Sequence, residues 1–150
     1  MSSYVSAELR RLVASRAGSL CEYCLIHEDD TYLGCQVDHV ISEKHRGPTE
    51  SENLAYACTL CNRAKGSNIG SIALSTGELT RLFNPRTDRW SDHFILARTV
   101  IQPRSPIGEA TVRTLAMNDT ERVLERESLH RTGRYPPAAA LRLLRRPTDP

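Results

Sequence analysis

Long apolar runs and aromatic side chains are both scarce in this chain. No run of about 18 apolar residues occurs, which excludes a membrane-spanning helix, and the start lacks the apolar centre of a secretion signal. Aromatic residues make up only 5% of the 150 residues, so a core must rely on Leu, Val, Ile and Ala. We therefore expect a cytoplasmic protein with no membrane partner, in which thiols stay reduced.

Strong charge of one sign is also missing. The 20 basic and 18 acidic residues leave a net charge of +2, so a nucleic-acid surface would need a local cluster of basic groups. Arg81, Arg86 and Arg89 with Trp90 fit such a surface. An Arg/Asp-rich loop anchored by one tryptophan is the more common explanation, and both interpretations stay open.

Four of the five cysteines form two matching pairs, Cys21-x-x-Cys24 and Cys58-x-x-Cys61. Two such knuckles supply the four thiolates of a tetrahedral zinc site, which predicts a structural Zn²⁺ on these residues. A redox pair is the alternative, but the duplication and the lack of a βαβ pattern argue against it. Cys35 is predicted to be a small core residue on a strand.

The order strand, loop, strand, helix is predicted for residues 31–66. Ser6 is a plausible N-cap of a first helix over residues 6–16. Alternating residues 31–38 read as a strand with Leu33, Cys35 and Val37 facing the core. The sequence then predicts a polar loop over 43–52, a strand over 54–57 and a helix over Thr59–Lys65 that ends at Gly66. Short strands or irregular structure are expected over 70–94, and helices over 106–117 and 119–131.

Hard oxygen donors and an imidazole accompany these elements. Asp38 and His39 end the first predicted strand, and Asn62 directly follows a zinc cysteine. Asp38 and Asn62 offer oxygen ligands to Mg²⁺ or a similar ion, which keeps waters and leaves room for a phosphate oxygen. His39 is then free to take a proton from an attacking water. The sequence therefore predicts a second, reactive metal centre.

These motifs together resemble the HNH endonucleases, in the zinc-stabilised His-Asn-Asn form. The matching segments lie between residues 21 and 66 and are Cys21-Glu22-Tyr23-Cys24, Val37-Asp38-His39-Val40-Ile41, Glu52-Asn53-Leu54 and Cys58-Thr59-Leu60-Cys61-Asn62-Arg63-Ala64-Lys65-Gly66. Asn62 stands where many members have His, and Asn variants belong to the family. Residues 67–136 resemble the extension of small standalone bacterial HNH proteins.

The resemblance implies an α+β fold with a ββα-metal core of the HNH or His-Me finger type. That core would carry the four-cysteine zinc site, an N-terminal helix and a C-terminal mixed or helical extension. We expect one nuclease domain over residues 1–136, with its core at 21–66 and its extension at 67–136, followed by a basic, flexible tail over 137–150.

The resemblance also implies roles for individual residues. His39 would be the general base, and Asp38 and Asn62 would hold a catalytic Mg²⁺ or Mn²⁺. Asn53 would brace the loop that orients His39. DNA would be cut to leave 5′-phosphate and 3′-hydroxyl ends.

Basic residues near this centre are candidate DNA contacts. Lys65 and Arg63 lie on the predicted helix beside Asn62, and His45 lies in the polar loop, although each is also compatible with a solvated side chain. Two other functions compete with DNA hydrolysis. One is a non-catalytic zinc module that binds nucleic acid or protein, and the other is an RNase of the same fold.

Overall fold

A computed structural model of the protein describes residues 3–146, which form a mixed structure of short helices and small sheets. Within this range the helices are α1 (Ala7–Arg16), α2 (Thr59–Lys65), α3 (Trp90–His93), α4 (Pro106–Thr114), α5 (Thr120–Arg131) and α6 (Leu141–Leu144). The strands are β1 (Cys35–His39), β2 (Leu54–Cys58), β3 (Gly70–Ile72), β4 (Leu79–Arg81), β5 (Phe94–Ala97) and β6 (Val100–Pro103). None of these helices combines the length and the apolar composition needed to cross a bilayer.

Helix α1 begins where its sequence predicts. The hydroxyl of Ser6 accepts a hydrogen bond from the backbone N–H of Leu9 at 3.1 Å, which caps the first turn. Glu8 lies in the first turn and Arg16 in the last, and both charges complement the helix dipole. Val13 is buried, and the helix packs against the β1–β2 hairpin. The predicted helix over residues 6–16 is confirmed.

Strands β1 and β2 pair antiparallel, and helix α2 follows directly, so residues 35–65 form a ββα unit. Cys35 pairs with Cys58 at one end of the hairpin, and His39 pairs with Leu54 at the other. At about 3.4 Å per residue these ends lie about 13 Å apart. Helix α2 ends before Gly66, whose φ of +52° lies in the region that glycine favours. The expected α+β class and the order strand, loop, strand, helix are confirmed.

The expected inward face of the first strand is correct for Cys35, which packs against the core, and wrong for Leu33. Alternation predicted that Leu33, Cys35 and Val37 point to the core, yet Leu33 precedes β1 and is 49% exposed. Asp38 is the buried residue of β1, with 4% of its surface exposed. A buried carboxylate requires hydrogen-bond partners, and Tyr23 supplies one of them. The sequence pattern could not show these partners, because they come from distant parts of the chain.

The residues after α2 form two more hairpins around helix α4. Strand β3 pairs with β4, and β5 pairs with β6. Helix α4 packs against β3, β4 and β6. The aromatic rings of Phe83 and Phe94 meet edge to face at 5.3 Å, and Trp90 lies 5.0 Å from Phe94. The indole N–H of Trp90 donates to the Tyr23 carbonyl at 2.9 Å, so Trp90 anchors this extension to the Cys21–Cys24 knuckle.

Part of the expected tail over residues 137–150 has helical structure. Ala138–Ala140 form a 3-10 turn that leads into α6, and Ala140 is buried. Helix α6 contacts α3, and the Ser91 hydroxyl donates to the Arg145 carbonyl at 3.1 Å. Leu143 and Leu144 are partly buried and pack against the core. Residues 147–150 lie outside the described part of the chain.

Candidate functional site

The four paired cysteines converge to a single buried cluster. Their sulfur atoms all lie within 4.8 Å of one another, and the Sγ atoms of Cys24 and Cys58 are 3.7 Å apart. Four thiolates around Zn²⁺ at about 2.3 Å place sulfur atoms about 3.8 Å apart, so the residues present fit a tetrahedral zinc ion. Such an ion would take all its ligands from the protein, with no position for a substrate.

Each knuckle is closed by its own backbone. The N–H of Cys24 points at the Cys21 sulfur and the N–H of Cys61 at the Cys58 sulfur, both at 3.4 Å. Cys58 therefore also caps the first turn of α2. Hydrogen bonds from the neighbouring thiols lower the pKa of Cys24 well below its ordinary value, whereas burial raises the pKa values of Cys21 and Cys61.

Two residues of the C-terminal extension complete this cluster, and the sequence analysis missed both. The buried guanidinium of Arg122 donates to the sulfur of Cys61 at 2.9 Å and lies 3.7 Å from that of Cys58. Burial acts to lower the pKa of Arg122, but the neighbouring cysteines raise this pKa above its ordinary value. The Tyr135 hydroxyl donates to the Cys24 carbonyl at 2.7 Å. These contacts span more than 60 residues of sequence, so no local pattern could reveal them.

The fifth cysteine lies outside the cluster. Cys35 is half-buried on β1, and burial raises the pKa of its thiol to about 12. A neutral thiol in this position behaves as a small apolar side chain.

The other end of the hairpin forms an open surface depression of about 290 Å³. Asp38 and His39 of β1 and Asn62 of α2 line it together, although Asn62 is 23 residues further along the chain. Ser42, Glu43 and Lys44 form its rim on the loop side. The structure thus brings together the three residues that the sequence predicted for a reactive metal centre.

The donors in this depression are hard oxygens. Asn62 Nδ2 donates to Gln36 Oε1 at 2.6 Å, which orients the amide and leaves its oxygen for another partner. The Asp38 carboxylate accepts from the Tyr23 hydroxyl at 2.8 Å and from the Lys65 ammonium at 3.2 Å. Each carboxylate oxygen has two lone-pair sites, so capacity remains on both. Burial raises the pKa of Asp38, while Lys65 and Tyr23 act in the opposite direction. The set fits an ion that keeps several waters, such as Mg²⁺.

The imidazole of His39 is held from the loop side. Its Nε2 lies 2.9 Å from the Thr49 hydroxyl and 3.8 Å from the Glu43 carboxylate. When Nε2 carries the proton, the Thr49 hydroxyl accepts a hydrogen bond from Nε2–H, and Nδ1 is free to act as a base. Thr49 and Glu43 were not among the sequence-based site residues, since a polar loop offers no pattern that singles them out.

Asn53 braces the loop that follows His39. Its amide oxygen accepts from the Ile41 N–H, and its Nδ2 donates to the carbonyls of Ile41 and Pro48, each at 2.9 Å. Gly47 makes this packing possible, because a Cβ there would collide with the Ile41 carbonyl and approach Asn53 Nδ2 to 2.8 Å. Asn53 makes no direct contact with the His39 ring, so it acts on the loop that carries Thr49.

Lys65 does not have the position expected of a DNA contact. It is 1% exposed, and its ammonium bonds the Asp38 carboxylate and the His39 carbonyl, the latter at 2.8 Å. A buried lysine needs such partners, and phosphate cannot reach it. Lys65 therefore links α2 to the end of β1, and its burial does not fit a role as a DNA contact.

The two other candidate contacts lie in different places. Arg63 is exposed but faces a groove between α2 and α5, away from the depression. His45 is exposed in the 3-10 turn Glu43–His45, beside Lys44 on the rim. His45 thus lies next to the rim residue Lys44, but it does not itself line the depression.

The comparisons with known proteins agree with this geometry. Residues 21–68 match the family model described as HNH endonuclease, which covers about a third of the chain. The matched segment contains both cysteine knuckles, the β1–β2 hairpin and α2. Neither the curated proteins nor the solved structures include a significant match. The segment that matches this family model therefore also contains the four-cysteine site and the depression around His39.

Proposed function

We propose that this protein is a metal-dependent endonuclease that hydrolyses DNA phosphodiester bonds, with His39 as the general base. The observation that carries the proposal is the depression that gathers Asp38, His39 and Asn62 inside the segment that matches the family model. A non-catalytic zinc module would need only the buried four-cysteine cluster. Such a module would not require Asp38, His39 and Asn62 to lie together.

Each residue has a distinct part in this proposal. His39 takes a proton from the attacking water at Nδ1, while Thr49 holds Nε2. Asp38 and Asn62 would hold Mg²⁺ or Mn²⁺, and the ion supplies polarisation of the scissile phosphate and stabilises charge on the leaving oxygen. Asn53 keeps the loop in place for His39. Cleavage should leave 5′-phosphate and 3′-hydroxyl ends, as the resemblance implies.

The substrate and the compartment are part of the same proposal. We infer DNA rather than RNA from the resemblance to HNH endonucleases. We infer the cytoplasm, because four thiols that bind zinc must stay reduced.

A cleavage assay on supercoiled plasmid DNA and on a matched RNA tests this function. We expect cleavage of DNA when Mg²⁺ or Mn²⁺ is added. His39→Ala should lower the rate by roughly 10²- to 10⁴-fold and leave the fold and zinc content intact. His27→Ala, which removes an imidazole outside the depression, is the matched control and should cleave normally. Wild-type rates in folded His39→Ala protein would reject the mechanism, and cleavage of RNA alone would reject DNA as the substrate.

A further inference from the structure

A second cavity, distinct from the depression around His39, lies between the loop before α3 and helix α6. Its volume is about 530 Å³. Five arginines line it: Arg86, Arg89, Arg142, Arg145 and Arg146. We call this cavity the arginine cleft. A concentration of guanidinium groups in a chain of net charge +2 is a local cluster of the kind that nucleic-acid binding requires.

Two carboxylates line the arginine cleft, and both are already paired. Asp88 accepts two hydrogen bonds of 2.7 and 2.9 Å from Arg81, an arginine that does not line the cleft. Glu22 pairs with Arg86 and also accepts from the backbone N–H of Tyr56. Within residues 3–146, Arg89, Arg142 and Arg145 form no ion pair, so their positive charge is available at the mouth of the cleft.

Arg86 is the innermost cation of the arginine cleft, and its hydrogen bonding is incomplete. One terminal nitrogen bonds Glu22, but Nε and Nη1 are buried with no acceptor among residues 3–146. The Nε of nearby Arg16 is also buried without an acceptor. Burial and then the charge of Arg86 lower the pKa of Arg16, although Glu22 and Glu52 act against this. Glu22 bonds Arg86, whereas Arg16 bonds the Leu54 carbonyl, so this pair of guanidinium groups has one carboxylate contact between them. An anion with several acceptor oxygens, held by the exposed arginines of the cleft, would offset their charge.

We propose that the arginine cleft is a phosphate-binding site. Guanidinium forks match phosphate oxygens in a bidentate way, and Arg89, Arg142 and Arg145 are exposed at the mouth. The phosphate has two possible sources, the backbone of a nucleic acid or a free phosphate. We favour the backbone, which would give the substrate a second contact far along the chain from His39. This preference rests on the proposed nuclease function, whereas phosphate binding itself does not.

The first arm of the test measures binding of a labelled DNA duplex without added divalent ion, so that a failure to cleave does not affect it. The full chain is compared with Arg89→Ala/Arg142→Ala/Arg145→Ala, which alters only exposed side chains. The slope of log affinity against log salt should decrease by about two to three units, since each lost phosphate contact contributes about one. Arg11→Ala/Arg113→Ala/Arg131→Ala removes the same charge from exposed positions elsewhere and should change the slope by less than one unit.

The second arm measures the melting temperature in inorganic phosphate and in chloride at equal ionic strength. Wild-type protein and the control variant should be stabilised by phosphate, and the cleft variant should not. Loss of this stabilisation with an unchanged DNA slope would support the site with a free phosphate as its ligand. Equal behaviour of cleft and control variants in both arms would overturn the proposal.

Discussion

The four-cysteine cluster and the depression around His39 occupy the two ends of one hairpin, yet they are built in opposite ways. All four cysteines of the cluster are buried, and their sulfur atoms surround a closed centre. The depression is open to solvent and offers two protein oxygens, from Asp38 and Asn62. An ion in the first site has a complete protein shell and can only support the fold. An ion in the second keeps positions for water and phosphate, which is what catalysis needs.

The two sites also depend on different parts of the chain. The cluster is completed from the extension by Arg122 and Tyr135. The depression is supported from within the core segment by Asn53 and Thr49. Changes in the extension should therefore affect stability and zinc retention, and changes in the loop should affect cleavage.

The largest expected effect follows from removing one ligand of the four-cysteine cluster. Cys58→Ser removes a thiolate from the cluster, and structural zinc contributes roughly 10 to 16 kcal/mol of apparent binding energy that is coupled to folding. We expect loss of zinc and of most tertiary structure, measured by metal analysis and by thermal melting followed by circular dichroism. Cys35→Ser is the matched control and should keep one zinc per chain. A Cys58→Ser protein that folds and melts like wild type would show that the cluster holds no structural metal.

The next effect tests the link between helix α2 and the depression. Lys65→Met leaves the buried Asp38 carboxylate without its cation, which costs roughly 3 to 5 kcal/mol for a broken buried pair. Denaturant unfolding should show this loss, and the salt slope of DNA binding should not change, because Lys65 is inaccessible to phosphate. Lys44→Met, an exposed lysine on the rim, provides the comparison for stability. A slope lowered by one unit in Lys65→Met would restore Lys65 as a DNA contact.

A smaller effect tests whether Arg122, in the C-terminal extension, stabilises the four-cysteine cluster. Arg122→Met removes a charged donor from the Cys61 sulfur at similar volume, and hydrogen bonds to charged groups are worth about 1.5 to 3 kcal/mol. We expect a lower melting temperature and faster zinc transfer to a chelator, with an unchanged rate of DNA cleavage at saturating Mg²⁺. Arg113→Met removes an exposed arginine and serves as control. If zinc leaves Arg122→Met and wild type at the same rate, Arg122 does not stabilise the cluster.

Local sequence patterns were sufficient to predict the elements that contain a cap residue or a motif of their own. Ser6 marked the start of α1, and the two knuckles with Asp38, His39 and Asn62 marked the ββα unit. The hairpin of β5 and β6 had no such signal, because its short strands are defined by pairing with each other and by packing on α4.

Long-range pairing explains the remaining differences from the sequence-based expectations. The burial of Asp38 depends on Tyr23 and Lys65, and the partner of Cys61 is an arginine in α5. Partners at such sequence separations appear only once the chain is folded.

The central claim is that one metal site holds the fold and the other performs the chemistry. Its most direct test measures zinc content and plasmid cleavage in one sample after dialysis has removed weakly bound divalent ions. We predict one retained zinc per chain, no cleavage, and recovery of cleavage when Mg²⁺ or Mn²⁺ is added. Asp38→Ala should retain its zinc and require much more added ion. Full cleavage by the zinc-loaded protein without any added ion, or an unchanged ion requirement in Asp38→Ala, would contradict the account.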